Sequence, residues 1–183
     1  MALKDKENDV DLPSDVMSTL KDLEEHMDGY DFIRYGIKLI SDQAYRLARE
    51  KCYFYHLFRE DAHKKLSEKE WGFLICRARR NPNSNGISID WLEQNPIAKD
   101  RRRKGGPTVL SKRIAKGKSQ NYNRQIVITS KRRPYETELY DELEPQFVML
   151  RHLSMLLTKA ERAIRDLQQS HIKTLNKLEK GEE

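Results

Sequence analysis

The sequence has few of the features that mark secreted and membrane proteins. It contains two cysteines in 183 residues, Cys52 and Cys76. Two are too few for the disulfide framework of a small secreted domain, and we interpret both as reduced thiols. No stretch approaches the roughly 18 apolar residues of a membrane helix, and the first residues lack the apolar run of a secretory signal. We therefore expect a cytoplasmic protein that does not contact the membrane.

Motifs for catalysis and metal binding are also missing from the sequence. Only His56, Glu60 and His63 can share a helix face, and no further cysteine or histidine at metal-ligand spacing completes that set. Residues 116–119 read KGKS, but a phosphate-binding loop requires glycine where Lys112 stands. No Gly-x-Ser-x-Gly motif and no closely spaced His-x-His pair of a metal-dependent nickase is present. We expect a non-enzymatic protein with no cofactor and no metal.

Positive charge is abundant and is concentrated in the middle of the chain. The whole chain carries +6, but from Arg77 to Arg133 sixteen lysines and arginines meet three acids, so this segment carries +13 and the remainder −7. Such a separation of charge draws polyanions to the middle segment and not to the flanks. Nucleic acid is therefore the predicted partner.

The spacing of apolar residues divides the chain into four parts. Residues 1–28 are acidic and poor in large apolar side chains, and we expect them to be partly disordered. Residues 29–70 are predicted to form a first helical arm, residues 71–134 a basic insert containing strands, and residues 135–183 a second helical arm with a charged tail. The seam of the first arm is Ile33, Ile37, Ile40, Ala44, Leu47, Phe54 and Phe58, and that of the second is Leu139, Leu143, Leu150, Leu153, Leu157, Ala160, Ile164 and Leu167.

The insert has the alternation and the turn residues of a β-hairpin. An apolar run at residues 73–76 precedes a turn-rich stretch at 81–86, and Ile87, Ile89 and Trp91 then alternate with polar residues. A tryptophan that alternates with isoleucines is typical of a core. Two further apolar runs, residues 108–110 and 125–129, are predicted to add strands to the same sheet.

Both arms must bury their seams, because each large aliphatic side chain contributes ~1.5–3 kcal/mol when buried. Antiparallel pairing within one chain and pairing between two chains of a homodimer both achieve this, and the sequence leaves both open. Pro145 either ends a short helix near Glu144 or kinks the second arm. The predicted fold class is α+β, with two long antiparallel helical arms and a small antiparallel sheet and basic loop between them.

The basic residues of the insert are the candidate DNA-binding residues. Arginine matches the O6 and N7 atoms of guanine bidentately, whereas lysine suits phosphates. Arg77 and Arg79 lie two residues apart and share a strand face, so they are predicted to read bases, whereas Arg124 and the arginines of the glycine-flanked loop are predicted to contact phosphates. The full set is Arg77, Arg79, Arg80, Arg101, Arg102, Arg103, Lys104, Lys112, Arg113, Lys116, Lys118, Arg124, Lys131, Arg132 and Arg133.

The chain resembles the MobI family of conjugative-transfer proteins, found in SXT-type integrative conjugative elements and IncC-type plasmids. The similarity spans about residues 30–168. The residues that carry it are Gln43 to Ala48 (QAYRLA), Asn85 to Trp91 (NGISIDW), Leu110 to Lys118 (LSKRIAKGK), Tyr140 to Glu144 (YDELE), and Leu150 with Arg151.

The resemblance implies an accessory factor that acts at an origin of transfer and helps a relaxase start mobilisation. Double-stranded DNA and a relaxase are thus the implied partners. The residues themselves also allow an RNA-binding protein, or a coiled-coil adapter whose basic segment meets an acidic protein. Groove access separates DNA from RNA, because a hairpin enters the wide major groove of DNA but not the deep, narrow one of A-form RNA.

Overall fold

The computed structural model describes residues 28–82, 84–97, 99–101, 104, 108–117 and 119–180. The predicted disorder of residues 1–28 therefore lies, apart from Asp28, outside the described residues. The chain divides into two compact units, one made of residues 37–163 and the other of residues 1–36 with 164–183. The candidate site lies entirely within the unit formed by residues 37–163.

The predicted α+β class is confirmed, with two long helices that flank a small sheet along the chain. The helices are α1 (Gly29–Lys65), a short α2 (Arg124–Val127) and α3 (Pro134–Lys180). The strands are β1 (Leu74–Arg80), β2 (Ile87–Pro96) and β3 (Val109–Arg113), in the spatial order β1-β2-β3. Both strand pairs are antiparallel.

The hairpin forms as its sequence predicts, with Arg80 opposite Ile87 next to the turn and Cys76 opposite Trp91 further along. β3 pairs only with the second half of β2, from Leu92 opposite Arg113 to Pro96 opposite Val109. The first half of β2 consequently has one edge without a strand partner.

The prediction of a strand at residues 125–129 is wrong, because this run forms α2 and its exit turn. The Asn123 side chain accepts a hydrogen bond from the backbone N–H of Gln125 at 2.9 Å and caps the helix. Val127 is fully buried, whereas Ile126 is about half exposed. A single helical turn buries Val127 without any strand partner. The Asn123 cap therefore favours the helical conformation for this short run.

The second arm is a single helix, α3, which contains Pro145 in its interior. Of the two alternatives for Pro145, the one in which a short helix ends near Glu144 is therefore wrong. Its seam is confirmed from Leu139 to Leu157, both of which are buried, but Leu167 is mostly exposed. Proline removes one backbone donor, a loss that the contacts of the surrounding turns outweigh here.

The long helices contact each other within one chain and run antiparallel. In the larger unit, the His63 ring near the end of α1 lies 3.0 Å from the Tyr135 hydroxyl at the start of α3. Earlier in α1, Phe54 lines a groove with Leu143, further along α3. In the smaller unit, Tyr30 meets His171 and Arg34 donates to Gln168. Intrachain pairing thus satisfies part of the predicted seams.

The predicted seam of the first arm is only partly correct. Ile37 and Ala44 are buried, but Ile33, Ile40, Leu47, Phe54 and Phe58 are exposed by 37% to 52%. The buried face of α1 is instead Ile37, Ser41, Ala44, Ala48, Cys52 and Tyr55. The alanines let the helix approach the sheet closely, which leaves the bulkier apolar stripe on the outside.

Trp91 lies at the centre of the core, as its alternation predicts. Its ring lies 5.4 Å from that of Tyr55, 5.1 Å from Tyr140 and 5.6 Å from Phe147, measured between centroids. Tyr55 comes from α1 and the other two from α3, so one β2 side chain joins both helices to the sheet. Among the described residues, no helix combines the length and apolar character that a membrane crossing requires.

Candidate nucleic-acid interface

A buried ion pair on α3 positions the residues beneath the sheet. The Glu144 carboxylate accepts hydrogen bonds from both terminal guanidinium nitrogens of Arg151, at 2.9 and 3.0 Å. It also accepts from the Trp91 indole N–H at 2.8 Å and from the Tyr122 backbone N–H at 2.9 Å. Because each oxygen has two donors, burial of this charge is compensated. The pair therefore fixes β2 and the segment after β3 relative to α3.

The unpaired edge of β2 is satisfied by side chains from α3. The Ile87 N–H donates to the Ser154 hydroxyl at 2.8 Å, and the Arg151 Nε–H donates to the Ile89 carbonyl at 3.0 Å. Next along the edge, the Ile114 N–H donates to the Trp91 carbonyl at 3.0 Å. One edge of β2 is therefore shared between α3 and the region of β3, with a cleft between them.

The three arginines of β1 have different surroundings. Arg77 is exposed and has no ion-pair or hydrogen-bond partner among the described residues. Arg79 binds the Asp90 carboxylate at 2.9 Å. Arg80 is on the opposite face, where it pairs with Asp42 of α1 and lies 4.9 Å from the centroid of the Tyr45 ring. The side chains alternate between the two faces as the sequence predicts, but of the three only Arg77 has no partner among the described residues.

Asp90 is the buried acid around which the open face of the sheet is organised. Arg79 from β1 and Arg113 from β3 bind its two oxygens, at 2.9 and 2.7 Å. The Tyr122 hydroxyl also lies 3.4 Å from Asp90. About half of each arginine side chain remains exposed, so two positive charges surround one buried negative charge. The local excess of charge is positive.

The edge strand β3 and the loop after α2 bring four predicted residues together. Lys112, Arg113, Lys131 and Arg132 line one open cavity of about 410 Å³. Lys112 and Lys131 are exposed and have no charged partner among the described residues, whereas the side chain of Arg132 is buried and binds Glu93 at 3.3 Å. We define the β3 surface as Lys112, Arg113, Lys116 and Lys131.

Lys116 lies beyond the end of β3 and lines a second cavity, beside Arg113, Arg151 and Arg162. Its Nζ donates to the Gln120 side chain at 3.3 Å. Partial burial, followed by the positive charges of Arg151 and Arg113, lowers the pKa of Lys116. The neighbouring arginines thus create a positive potential that no nearby acid fully offsets.

The remaining predicted residues lie elsewhere. Arg124 forms a bidentate pair with Asp141, at 2.7 and 2.8 Å, and Arg133 donates to the Lys69 carbonyl. Arg101 and Lys104 are exposed in the connection between β2 and β3. Arg102, Arg103 and Lys118 are outside the described residues. Within the described part of the chain, the predicted set is therefore not gathered on one surface.

The histidines of α1 have structural contacts. His56 Nε2 lies 3.0 Å from the Cys76 carbonyl, and the His63 ring stacks on Trp71 at 4.8 Å between centroids. Burial is the main cause that lowers the pKa of both rings. Among the described residues, no group of three or more histidine, cysteine, aspartate or glutamate side chains is placed to hold a metal ion.

Sequence reasoning did not identify Arg162 as a site residue. It lies on the charged face of the second arm, more than 40 residues after Lys116, and joins that lysine only through the packing of α3 against the sheet. Arg151 entered the sequence analysis through the family resemblance, with no sign of its burial. Neither position has a local signal that separates it from other charged residues of a helix.

Comparison with known proteins gave one match. The family model described as MobI protein matches residues 44–165. The matched range contains the sheet, the β3 surface and the Glu144–Arg151 pair. No curated protein and no solved structure matched the chain significantly.

Proposed function

We propose a function for this chain on the basis of its family, because the chain belongs to the MobI family. The match covers 122 of the 183 residues. Membership makes the chain a mobilisation-related protein of conjugation. The proposed role is narrower: it binds duplex DNA at an origin of transfer and assists a relaxase, which supplies the nicking chemistry.

The observation that carries this proposal is the β3 surface. Lys112 and Lys131 are exposed and form no ion pair among the described residues, although Glu93, which binds Arg132, lies opposite Lys112 and lines the same cavity. The two lysines come from segments 19 residues apart in the chain. A rigid edge strand holds the first and a capped turn precedes the second. Fixed cations of this kind suit contacts to phosphates, which supply most of the affinity of DNA-binding proteins.

Arg77 supports a second component of the proposal, the reading of base sequence. It is exposed on the edge strand β1 and projects from the same face of the sheet as Arg113, whereas Lys112, the cross-strand partner of Glu93, projects from the other face. Arg77 therefore contacts DNA beside Arg113 rather than beside Lys112. An arginine without a protein partner keeps all its donors for a guanine edge, whereas Arg79 shares its donors with Asp90.

The test measures affinity for labelled duplex DNA across a series of salt concentrations. With about six phosphate contacts, log K against log salt should have a slope near −5, since each contact contributes ~0.9. The double variant Lys112→Gln with Lys131→Gln should lower the slope by about 2 units in magnitude. The control, Lys38→Gln with Lys64→Gln, removes two exposed lysines of α1 and should bind as the wild type does.

Two results would reject the proposal. The first is a slope near zero, and the second is equal loss of affinity in the β3 double variant and its control. Structured RNA and single strands at the same salt form the comparison arms. Preference for structured RNA would favour the RNA-binding alternative. It would also exclude base reading by the hairpin, because the major groove of A-form RNA does not admit a hairpin.

We also propose that the protein forms a homodimer through the exposed apolar stripe of α1, which borders the groove that Leu47 and Phe54 line with Leu143 of α3. In the larger unit this face carries a stripe of exposed apolar residues with a seven-residue repeat, Ile40, Leu47 and Phe54, flanked by Leu39 and Phe58. A twofold axis near Leu47 places Ile40 of each chain against Phe54 of the other and brings Arg46 near Glu50. The order of apolar and charged residues along the stripe is thus complementary to that of a second, antiparallel copy, as a symmetric interface requires.

Light scattering during size exclusion tests this interface. Leu47→Glu should convert the dimer to a monomer without loss of helical circular dichroism, because the residue does not belong to the buried face. Leu178→Glu, near the end of α3 and 70% exposed, is the matched control. A wild type that is monomeric at high concentration would overturn the dimer and leave DNA binding untouched.

A further inference from the structure

A second cavity lies between β2, the segment after β3, and α3. It has a volume of about 270 Å³ and is lined by polar groups, among them Ser88, Asp90, Gln120 and Ser154. One water occupies about 30 Å³ in the liquid. The cavity therefore has room for a small anion together with waters that complete its hydration.

Positive charge dominates the lining of this cavity. Arg113, Lys116, Arg151 and Arg162 reach it from β3, the following segment and α3. Among the described residues, the only acid that lines it is Asp90, which already binds Arg79 and Arg113. Arg151 is neutralised by Glu144, which does not line the cavity. The four lining cations therefore face one lining carboxylate, and the excess within the lining is three positive charges.

Two of those cations have no acid partner among the described residues. Lys116 contacts only the neutral Gln120 amide, and Arg162 is exposed without an ion pair. The Ser88 hydroxyl, half-buried on the opposite wall, also has no partner in the described part of the chain. Ammonium, guanidinium and hydroxyl donors that converge without an acceptor fit the oxygens of a tetrahedral anion.

We propose that this cavity binds a single phosphate group, held by Lys116 and Arg162 with help from Arg113 and Ser88. Burial is the first cause that lowers the pKa of Lys116, and the positive charges of Arg151 and Arg113, which lower it further, favour an anion at this place. The bound group is either a phosphate of a nucleic acid or free phosphate. The inference does not depend on the proposed function, because free phosphate requires no DNA.

Titration of the full-length protein with inorganic phosphate at low ionic strength tests the site. Heat of binding and the rise in Tm are compared with those in sodium chloride of equal ionic strength. The variant Lys116→Gln with Arg162→Gln should bind phosphate at least about tenfold more weakly than the wild type, since it loses two charge-assisted hydrogen bonds. The control, Lys64→Gln with Lys159→Gln, changes the net charge equally and should bind as the wild type does.

The proposal is overturned if phosphate stabilises the protein no more than chloride does, or if both double variants bind phosphate equally. Lys116→Arg keeps the charge and should retain binding, which separates loss of the site from loss of the fold.

Duplex DNA is then added in a second arm. Weaker DNA binding by the Lys116 and Arg162 variant assigns the site to a nucleic-acid phosphate, and unchanged DNA binding assigns it to free phosphate. Failure of the β3 surface variants in the DNA assay leaves the phosphate titration unaffected.

Discussion

The Glu144–Arg151 pair and the β3 surface contain the same types of side chain in opposite situations. Arg151 is buried, and its guanidinium has three kinds of acceptor: the Glu144 carboxylate, the Ile89 carbonyl and the Gln120 carbonyl. Lys112 and Lys131 are exposed and have no acid partner among the described residues. A cation whose acceptors are supplied by the fold stabilises the fold, whereas one without acceptors remains available to a ligand. Charge alone therefore does not identify a binding residue.

The largest expected effect comes from breaking the buried pair. Glu144→Ala removes the carboxylate that neutralises Arg151 and leaves the Trp91 indole N–H and the Tyr122 N–H without their acceptor. Removal of one partner of a buried pair costs about 3–5 kcal/mol, because the other charge remains buried. Urea unfolding followed by circular dichroism measures this loss. Glu142→Ala, an exposed residue of the same helix, should change stability by less than about 0.5 kcal/mol.

An equal loss of stability in the two variants would show that Arg151 finds other acceptors or water. The comparison between buried and exposed charge would then fail at its buried member.

A close contact between the start of β1 and α3 gives the next largest effect. A Cβ atom on Gly72 would lie 2.2 Å from Cδ of Glu136 and 2.6 Å from the Tyr135 hydroxyl. That hydroxyl accepts the Gly72 N–H at 2.7 Å, so the contact cannot open without loss of a hydrogen bond. Gly72→Ala should therefore destabilise the protein by about 1–3 kcal/mol.

Gly36→Ala provides the control with the opposite sign. This glycine lies inside α1, and a Cβ atom added to it would have nothing within 4 Å. Alanine in a helix interior is favoured over glycine by about 0.5–1 kcal/mol. Thermal or urea unfolding of both variants should show one loss and one gain, and a gain in both would refute the close contact.

Arg77 tests whether an exposed arginine supplies specificity as well as affinity. Arg77→Ala should lose ~1–3 kcal/mol on a preferred duplex selected from a randomised pool, and much less on scrambled duplex. Lys112→Ala should weaken both duplexes alike, since phosphates carry no sequence. Arg124, predicted from sequence to contact phosphate, is paired with Asp141 and should contribute less than Lys112 does. Equal losses for Arg77→Ala on both duplexes would remove its role in base reading.

The smallest expected effect is a pH dependence of stability. Burial keeps the pKa of His56 below its ordinary value of 6.5, so the unfolded chain binds a proton at a pH where the folded chain does not. Stability should therefore fall as pH drops below about 6.5 and level off once the folded pKa is passed. Urea unfolding between about pH 7 and pH 5 measures the slope. His56→Gln should reduce the slope without abolishing it, because burial also lowers the pKa of His63.

The broad plan of the fold could be predicted from sequence because it depends on local periodicity. Helical spacing located both arms, and alternation about a turn-rich stretch located the hairpin with Trp91 in the core. The strand prediction for residues 125–129 was wrong because a short apolar run fits a strand or one helical turn equally well. Only Asn123, placed as a cap, distinguishes them. The buried seam predicted for α1 was only partly correct, because spacing alone does not say whether small or large residues face the sheet.

Composition and local periodicity were enough to show that the middle of this chain is strongly basic, contains a hairpin and lies between two helical arms. Which cations remain available depends on how the helices and the sheet pack together. Arg79 and Arg113 are bound by Asp90, Arg80 by Asp42 and Arg124 by Asp141, whereas Lys112 and Lys131 have no such partner among the described residues. The physical reason is that ion pairing depends on distance in space. The acids in question lie 11 to 38 residues from their arginines along the chain, where no local pattern records the pairing.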